Sequence, residues 1–151
     1  MTLEHLSSED LVSLCRRAAT ASVRRLHALG RRVDPADAPL VALFDKLIRD
    51  GEEHLSEIHR FEDQVHAPPV KEEEDLDQIV SGFFPSLTRA PGEAFIDRET
   101  GPYFAECIAQ DAARFYRVLA ERAPDEESRA FFRHSGEERE SRVQFVRNVL
   151  L

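Results

Sequence analysis

Four long segments of this chain repeat apolar side chains at helical spacing, and this pattern limits the fold more than any other feature. The segments span about residues 8–29, 37–65, 102–123 and 125–150. In each of them apolar residues recur three or four positions apart, which is the period of an amphipathic α-helix. No segment shows the alternation of apolar and polar residues that is typical of a strand. The sequence therefore predicts an all-α fold.

Turn and stop signals arrange the four segments in two pairs. Gly30 follows the first segment, and a double proline follows the second. Only a few residues separate the third segment from the fourth, so these two are expected to pack antiparallel. The stretch 67–101 is rich in proline and glycine, and we predict a long crossover there with one short helix at 75–83. Two hairpins joined by such a crossover form a single domain, residues 1–151, with a known four-helix topology.

Charge and composition disfavour several classes of function. The net charge of −9 argues against nucleic acid as a partner, because phosphate binding needs a basic surface. No apolar run approaches the roughly 18 residues of a membrane span, and the N-terminus lacks the pattern of a secretory signal. Cys15 and Cys107 are isolated within helical segments, which is typical of free thiols in a reducing compartment. We therefore expect a cytoplasmic protein without nucleic-acid or membrane partners.

Polar residues interrupt the apolar face of two helices near their middle. In the second helix the interruption is His54. In the fourth helix the predicted inner face consists of Phe131, His134, Glu138, Ser141, Phe145 and Val149. Buried imidazole and carboxylate groups need partners, because unpaired burial is unfavourable. Two interpretations stay open: a metal or redox site in the core, or a polar cluster in which Glu138 hydrogen-bonds His54.

The second half of the chain resembles part of a rubrerythrin-like domain of the ferritin-like superfamily. The stretch concerned is residues 103–150, YFAECIAQDAARFYRVLAERAPDEESRAFFRHSGEERESRVQFVRNVL. Its run FYRVLAERAPDEESRAFF, with the acidic EER segment that follows, carries most of the resemblance, and LIRDGEEHLSEI in the second helix resembles the first half. The resemblance implies a ferritin-like four-helix bundle. It also implies a homodimer, because ferritin-like hairpins commonly pair into dimers.

In that family six side chains bind two irons: one Glu from each of two helices, and a Glu-x-x-His pair from each of the other two. The resemblance places these positions at Ala18, Gly51, His54, Ala109, Glu138 and Ser141, with an additional acid of some rubrerythrins at Ala112. Only His54 and Glu138 keep a ligand side chain. Because two irons need several carboxylates to balance their charge, iron oxidation and peroxide reduction are not expected. His54 and Glu138 alone would hold one divalent ion weakly.

Four other carboxylates lie near these positions but do not fit the pattern. Glu52 and Glu53 in the second helix fall off the apolar face. Glu106 and Asp111 in the third helix point away from Ala109 on a helical wheel. They are therefore not candidate ligands.

Three functions are consistent with these residues. The first is a non-catalytic scaffold or interaction protein that is a homodimer and needs no cofactor. The second is a metal-binding or redox protein that holds iron, manganese or zinc at an altered site of His54 and Glu138, with His134 as a third candidate ligand. The third is a small-molecule binder, because the small residues at the lost glutamate positions remove volume from the centre and would leave an apolar pocket.

Overall fold

The computed structural model describes residues 6–64, 73–88 and 96–149, and every regular element in these ranges is an α-helix. In chain order the helices are α1 Ser8–Gly30, α2 Ala38–Gln64, α3 Glu73–Phe83, α4 Pro85–Thr88, α5 Thr100–Arg122 and α6 Glu126–Val149. The predicted all-α class is confirmed for the part of the chain described. No helix in these ranges is long and apolar enough to cross a bilayer.

The four long helices lie within a few residues of the predicted segments, and side-chain caps mark the starts of α1 and α6. At the start of α1 the Ser7 hydroxyl accepts a hydrogen bond from the Asp10 N–H, and the Asp10 carboxylate accepts one from the Ser7 N–H. Asp125 caps α6 in a similar way, since its carboxylate accepts from the Ser128 N–H at 2.7 Å. The same carboxylate accepts from the Ser8 hydroxyl at 2.6 Å, which links the starts of α1 and α6.

The long helices pack as two hairpins, α1 along α2 and α5 along α6, and α1 also contacts α5. The short helices α3 and α4 pack against α1 and α5. The helix predicted at 75–83 corresponds to α3, and α4 adds one further turn. Residues 65–72 and 89–95 lie outside the described ranges, so the predicted double-proline stop and part of the crossover 67–101 lie outside them too.

An isolated β-bridge connects the loop after α1 to the segment that precedes α5. Val33 and Ile96 form this isolated β-bridge, and the Ile96 N–H donates to the Arg32 carbonyl at 2.9 Å. Gly101, in the first turn of α5, lets that helix approach α2 closely. A Cβ atom there would lie 2.9 Å from the Leu40 Cδ1 atom. The start of α5 is therefore held close to the α1–α2 hairpin.

Two apolar clusters form the core, one towards each end of the long helices. The first includes the fully buried Leu11, Phe115 and Phe132, and the second includes Leu40 and Phe44. Burial of each such side chain contributes roughly 1.5–3 kcal/mol to folding. Small residues occupy the region between the two clusters, and the candidate site lies there.

The inner face of α6 is displaced by one residue from the predicted one. His134 is 66% exposed, and Ser141 is exposed and donates its hydroxyl hydrogen bond to the Glu137 carbonyl. The buried residues of α6 are Ser128, Phe132, Ser135, Gly136, Val143 and Val146. The adjacent Phe131 and Phe132 allow two registers in the sequence. In the structure Phe132 is fully buried, whereas Phe131 is only partly buried.

Candidate functional site

A cavity of about 60 Å³ lies between α1, α2, α5 and α6. Its wall includes Ala18 of α1, Gly51 of α2, and Ala109 with Ala112 of α5. The resemblance assigns a carboxylate to each of these four positions, and the structure brings all four together around one space. A cavity of this size holds a few water molecules.

Gly51 allows α1 and α2 to approach closely at the cavity wall. A Cβ atom at this position would lie 2.8 Å from the Val23 Cγ2 atom, which is closer than real Cβ contacts. A glutamate at position 51 would therefore require Val23 to move. The packing of these two helices has adapted to the absence of a side chain there.

His54 forms part of the cavity wall and is buried, with 4% of its surface exposed. Its Nε2 atom lies 2.5 Å from the Tyr116 hydroxyl, and the two rings meet edge to face. Burial, together with the positive charges of Arg139 and His134, lowers the pKa of His54 to about 3. The imidazole is therefore neutral at physiological pH. Its hydrogen-bond partner is Tyr116. One interpretation of the sequence had proposed Glu138 instead.

Tyr116 connects His54 to a second buried group, the thiol of Cys15. Burial raises the pKa of the Tyr116 phenol, and the neighbouring Cys15 raises it further. Burial also raises the pKa of the Cys15 thiol. The three side chains come from α1, α5 and α2, and all three are neutral at physiological pH. They add hydrogen-bonding capacity to the interior without adding charge.

His54 also faces two carboxylates, which form a candidate metal site with it. One possible ligand atom from each of His54, Glu57 and Glu138 lies within 4.8 Å of the others. The Nδ1 atom of His54 has no hydrogen-bond partner among the described residues and lies 3.8 Å from a Glu57 oxygen. Burial and the negative charge of Glu138 raise the pKa of Glu57, which is typical of carboxylates that share a small space. Glu57 was not among the predicted ligands, although its spacing of three residues from His54 puts both on one helical face.

Two arginines of α6 line the cavity where the resemblance had assigned Glu138 and Ser141. They are Arg139 and Arg142, each one residue further along the helix. The Nη2 atom of Arg142 lies 3.0 Å from an Asp50 oxygen, so this guanidinium has a close counter-ion. Arg139 is 12% exposed, and its Nη2 atom lies 3.6 Å from a Glu138 oxygen. Its Nε atom is buried and has no hydrogen-bond partner in the described ranges.

The four carboxylates that did not fit the ligand pattern of the family lie away from the cavity. Glu52 and Glu53 are exposed on α2, as the sequence predicted. Glu106 pairs with Arg147. Asp111 is buried, but its carboxylate accepts a hydrogen bond from the Ser86 N–H at 3.1 Å, so it has a structural partner in α4.

Comparisons of this chain with protein-family models, curated proteins and solved structures found no match. The resemblance to rubrerythrin-like domains therefore stays a prediction.

Proposed function

We propose that this chain is a ferritin-like four-helix bundle that binds a small organic molecule in the cavity between its four long helices. The observation that carries this proposal is the convergence of Ala18, Gly51 and Ala109 on one space. These positions would hold carboxylates in a di-metal protein of this fold. Here they provide an apolar wall with hydrogen-bonding groups beside it, which is the usual composition of a small-molecule site.

The residues around the cavity do not suit two metal ions. Two irons need several carboxylates to balance their charge. Among the described residues, Asp50 is the one carboxylate that lines the cavity, and Arg142 is 3.0 Å from it. A second arginine, Arg139, adds positive charge that opposes a metal cation. The proposed activity is therefore binding without di-iron chemistry.

The binding energy in this proposal comes mainly from burial of an apolar group. Each methylene that leaves water contributes about 0.8 kcal/mol. Very small ligands reach a ceiling of about 1.5 kcal/mol per non-hydrogen atom. A ligand with a few carbon atoms would therefore bind in the micromolar to millimolar range. His54 and Tyr116 would supply a hydrogen bond to its polar end.

Solution NMR of the full chain tests this proposal. The probes are three four-carbon molecules that differ in charge: butyrate, butyramide and butylamine. We expect at least one of them to shift the methyl resonances of Ala109 and Ala112 in a saturable manner. Ala109→Leu, which fills the cavity, should abolish the shifts, and Ala130→Leu on the exposed surface of α6 should not. The absence of a saturable shift with all three probes would contradict the proposal. The alternative would then be a homodimeric scaffold or interaction protein.

A second candidate function is the binding of one divalent metal ion at His54, Glu57 and Glu138. The unpartnered Nδ1 atom of the neutral His54 favours it, because this atom has a free ligand position beside two carboxylates. Iron, manganese and zinc all accept such nitrogen and oxygen ligands. Arg139, 3.6 Å from Glu138, would weaken the affinity of this site.

Elemental analysis of untagged protein after reloading with ferrous iron or zinc tests the metal site. We expect one ion per chain in the unmodified protein and none in Glu57→Gln. The matched control is Glu53→Gln, an exposed carboxylate on the same helix. Equal metal content in all three proteins would exclude this site.

A further inference from the structure

The charged side chains of the cavity wall have partners of opposite charge. Asp50 and Arg142 lie 3.0 Å apart. Arg139 lies 3.6 Å from a Glu138 oxygen, and its positive charge also acts on Glu57. A charged ligand in this cavity would lose its hydration and would compete with these ion pairs, which is unfavourable. The wall therefore favours a neutral ligand.

The hydrogen bond between His54 and Tyr116 determines which polar group the wall offers to such a ligand. The Nδ1 atom of His54 lies 3.8 Å from a Glu57 oxygen, and Glu138 places a second carboxylate nearby. These negative charges favour a hydrogen on Nδ1, and a neutral imidazole carries one ring hydrogen. The Nε2 atom is then the acceptor, and the Tyr116 hydroxyl donates to it at 2.5 Å.

In this arrangement the Tyr116 hydroxyl is an acceptor towards every other group. A hydroxyl has one hydrogen and two lone pairs, and His54 uses the hydrogen. The thiol of Cys15 also hydrogen-bonds Tyr116, so it uses one lone pair as a donor. Tyr116 lines the cavity, so a donor inside the cavity can use the second lone pair.

From these two features we infer that the cavity binds a small neutral hydrogen-bond donor, a short-chain alcohol, whose hydroxyl donates to the Tyr116 oxygen. This inference rests on the proposed function. Ala18, Ile108 and Ala112 provide apolar wall for the hydrocarbon part of the alcohol. The volume of about 60 Å³ accommodates a few water molecules, which limits the alcohol to two or three carbon atoms.

NMR titration of the full chain with four probes tests the inference. The probes are propan-2-ol, acetone, acetate and isopropylammonium, which have four non-hydrogen atoms each and differ in charge and in donor groups. Saturable shifts of the Ala109 and Ala112 methyl resonances give the affinities. We expect propan-2-ol to bind about threefold to tenfold more tightly than acetone, because acetone has no hydrogen to donate. Acetate and isopropylammonium should bind more weakly than propan-2-ol and acetone, because each would bury a charge.

The two tyrosines of the chain provide a matched pair of variants. Tyr116→Phe keeps the buried ring and removes the hydroxyl, so it should bind propan-2-ol and acetone equally. The control Tyr103→Phe changes a tyrosine of the same helix that is 50% exposed, and it should retain the preference for propan-2-ol. A further measurement needs no variant: two-bond proton–nitrogen NMR correlations of the His54 ring should place its hydrogen on Nδ1.

The results separate this inference from the proposed function. Equal affinity for propan-2-ol and acetone, tighter binding of either ion, or a hydrogen on Nε2 of His54 overturns the alcohol assignment and leaves small-molecule binding in place. A preference for propan-2-ol that persists in Tyr116→Phe also overturns it. Absence of binding by all four probes overturns the inference, and it overturns the proposed function as well if butyrate, butyramide and butylamine also fail to bind. Loss of the preference in a folded Tyr116→Phe protein supports the inference.

Discussion

Replacement of His54 by glutamine should make the stability of this protein less dependent on pH. The folded chain keeps the pKa of His54 at about 3, whereas the unfolded chain has the ordinary value of 6.5. Between these values the unfolded state binds a proton that the folded state does not, so stability falls as pH falls. The loss approaches about 1.4 kcal/mol per pH unit within this window. From about pH 7.5 to about pH 4.5 it amounts to about 3 kcal/mol.

Urea denaturation followed by circular dichroism at these two pH values measures the effect. Asp37, Asp97 and Asp125 have lowered pKa values, and they also reduce stability as the pH falls. The informative quantity is therefore the difference between proteins. We expect His54→Gln to lose about 3 kcal/mol less than the unmodified chain over this pH range. The control His59→Gln removes an exposed histidine of the same helix.

This difference arises only if His54 is buried and uncharged in the folded protein. An equal loss of stability on acidification in the unmodified chain and in His54→Gln would refute it. A proton NMR titration of the His54 ring gives an independent check. Its resonances should stay constant between about pH 7.5 and pH 4.5.

Three further substitutions test the packing described above, each by urea denaturation. Phe132→Ala should reduce the free energy of unfolding by about 3–5 kcal/mol, because a fully buried aromatic ring is removed; a loss below about 1 kcal/mol would contradict its burial. Gly51→Ala should destabilise the chain, although alanine favours helices, because its Cβ atom would contact Val23. A double-mutant cycle with Val23→Ala should give a coupling energy of about 1 kcal/mol or more. Additive effects of the two substitutions would count against this contact. Asp125→Ala should cost about 1–2 kcal/mol, because Ser128 and Ser8 lose their acceptor.

The helices could be predicted from the sequence because their signals are local. Apolar spacing, capping residues such as Ser7 and Asp125, and glycine or proline stops all act within a few positions. The register of α6 could not be fixed in this way. Arg139 and Arg142 line the cavity, and because long arginine side chains can pack apolar stems inside while their charged ends stay polar, apolar spacing does not mark such inner positions.

The resemblance predicts that Ala18, Gly51 and Ala109 lie together, and all three line one cavity. The hydrogen bond between His54 and Tyr116 joins residues that are 62 positions apart, so it depends on how the two hairpins dock. The pairing of such distant side chains has no local signal in a single sequence.

The small residues between the two apolar clusters have a mechanical consequence. Most of the interior is close-packed, but a cavity of about 60 Å³ lies at the centre. Unfolding eliminates imperfectly packed volume of this kind and reduces the total volume of protein and solvent. Hydrostatic pressure therefore favours unfolding in part through this cavity. A molecule that occupies the cavity would make the folded state harder to compress and would raise the pressure at which the chain unfolds.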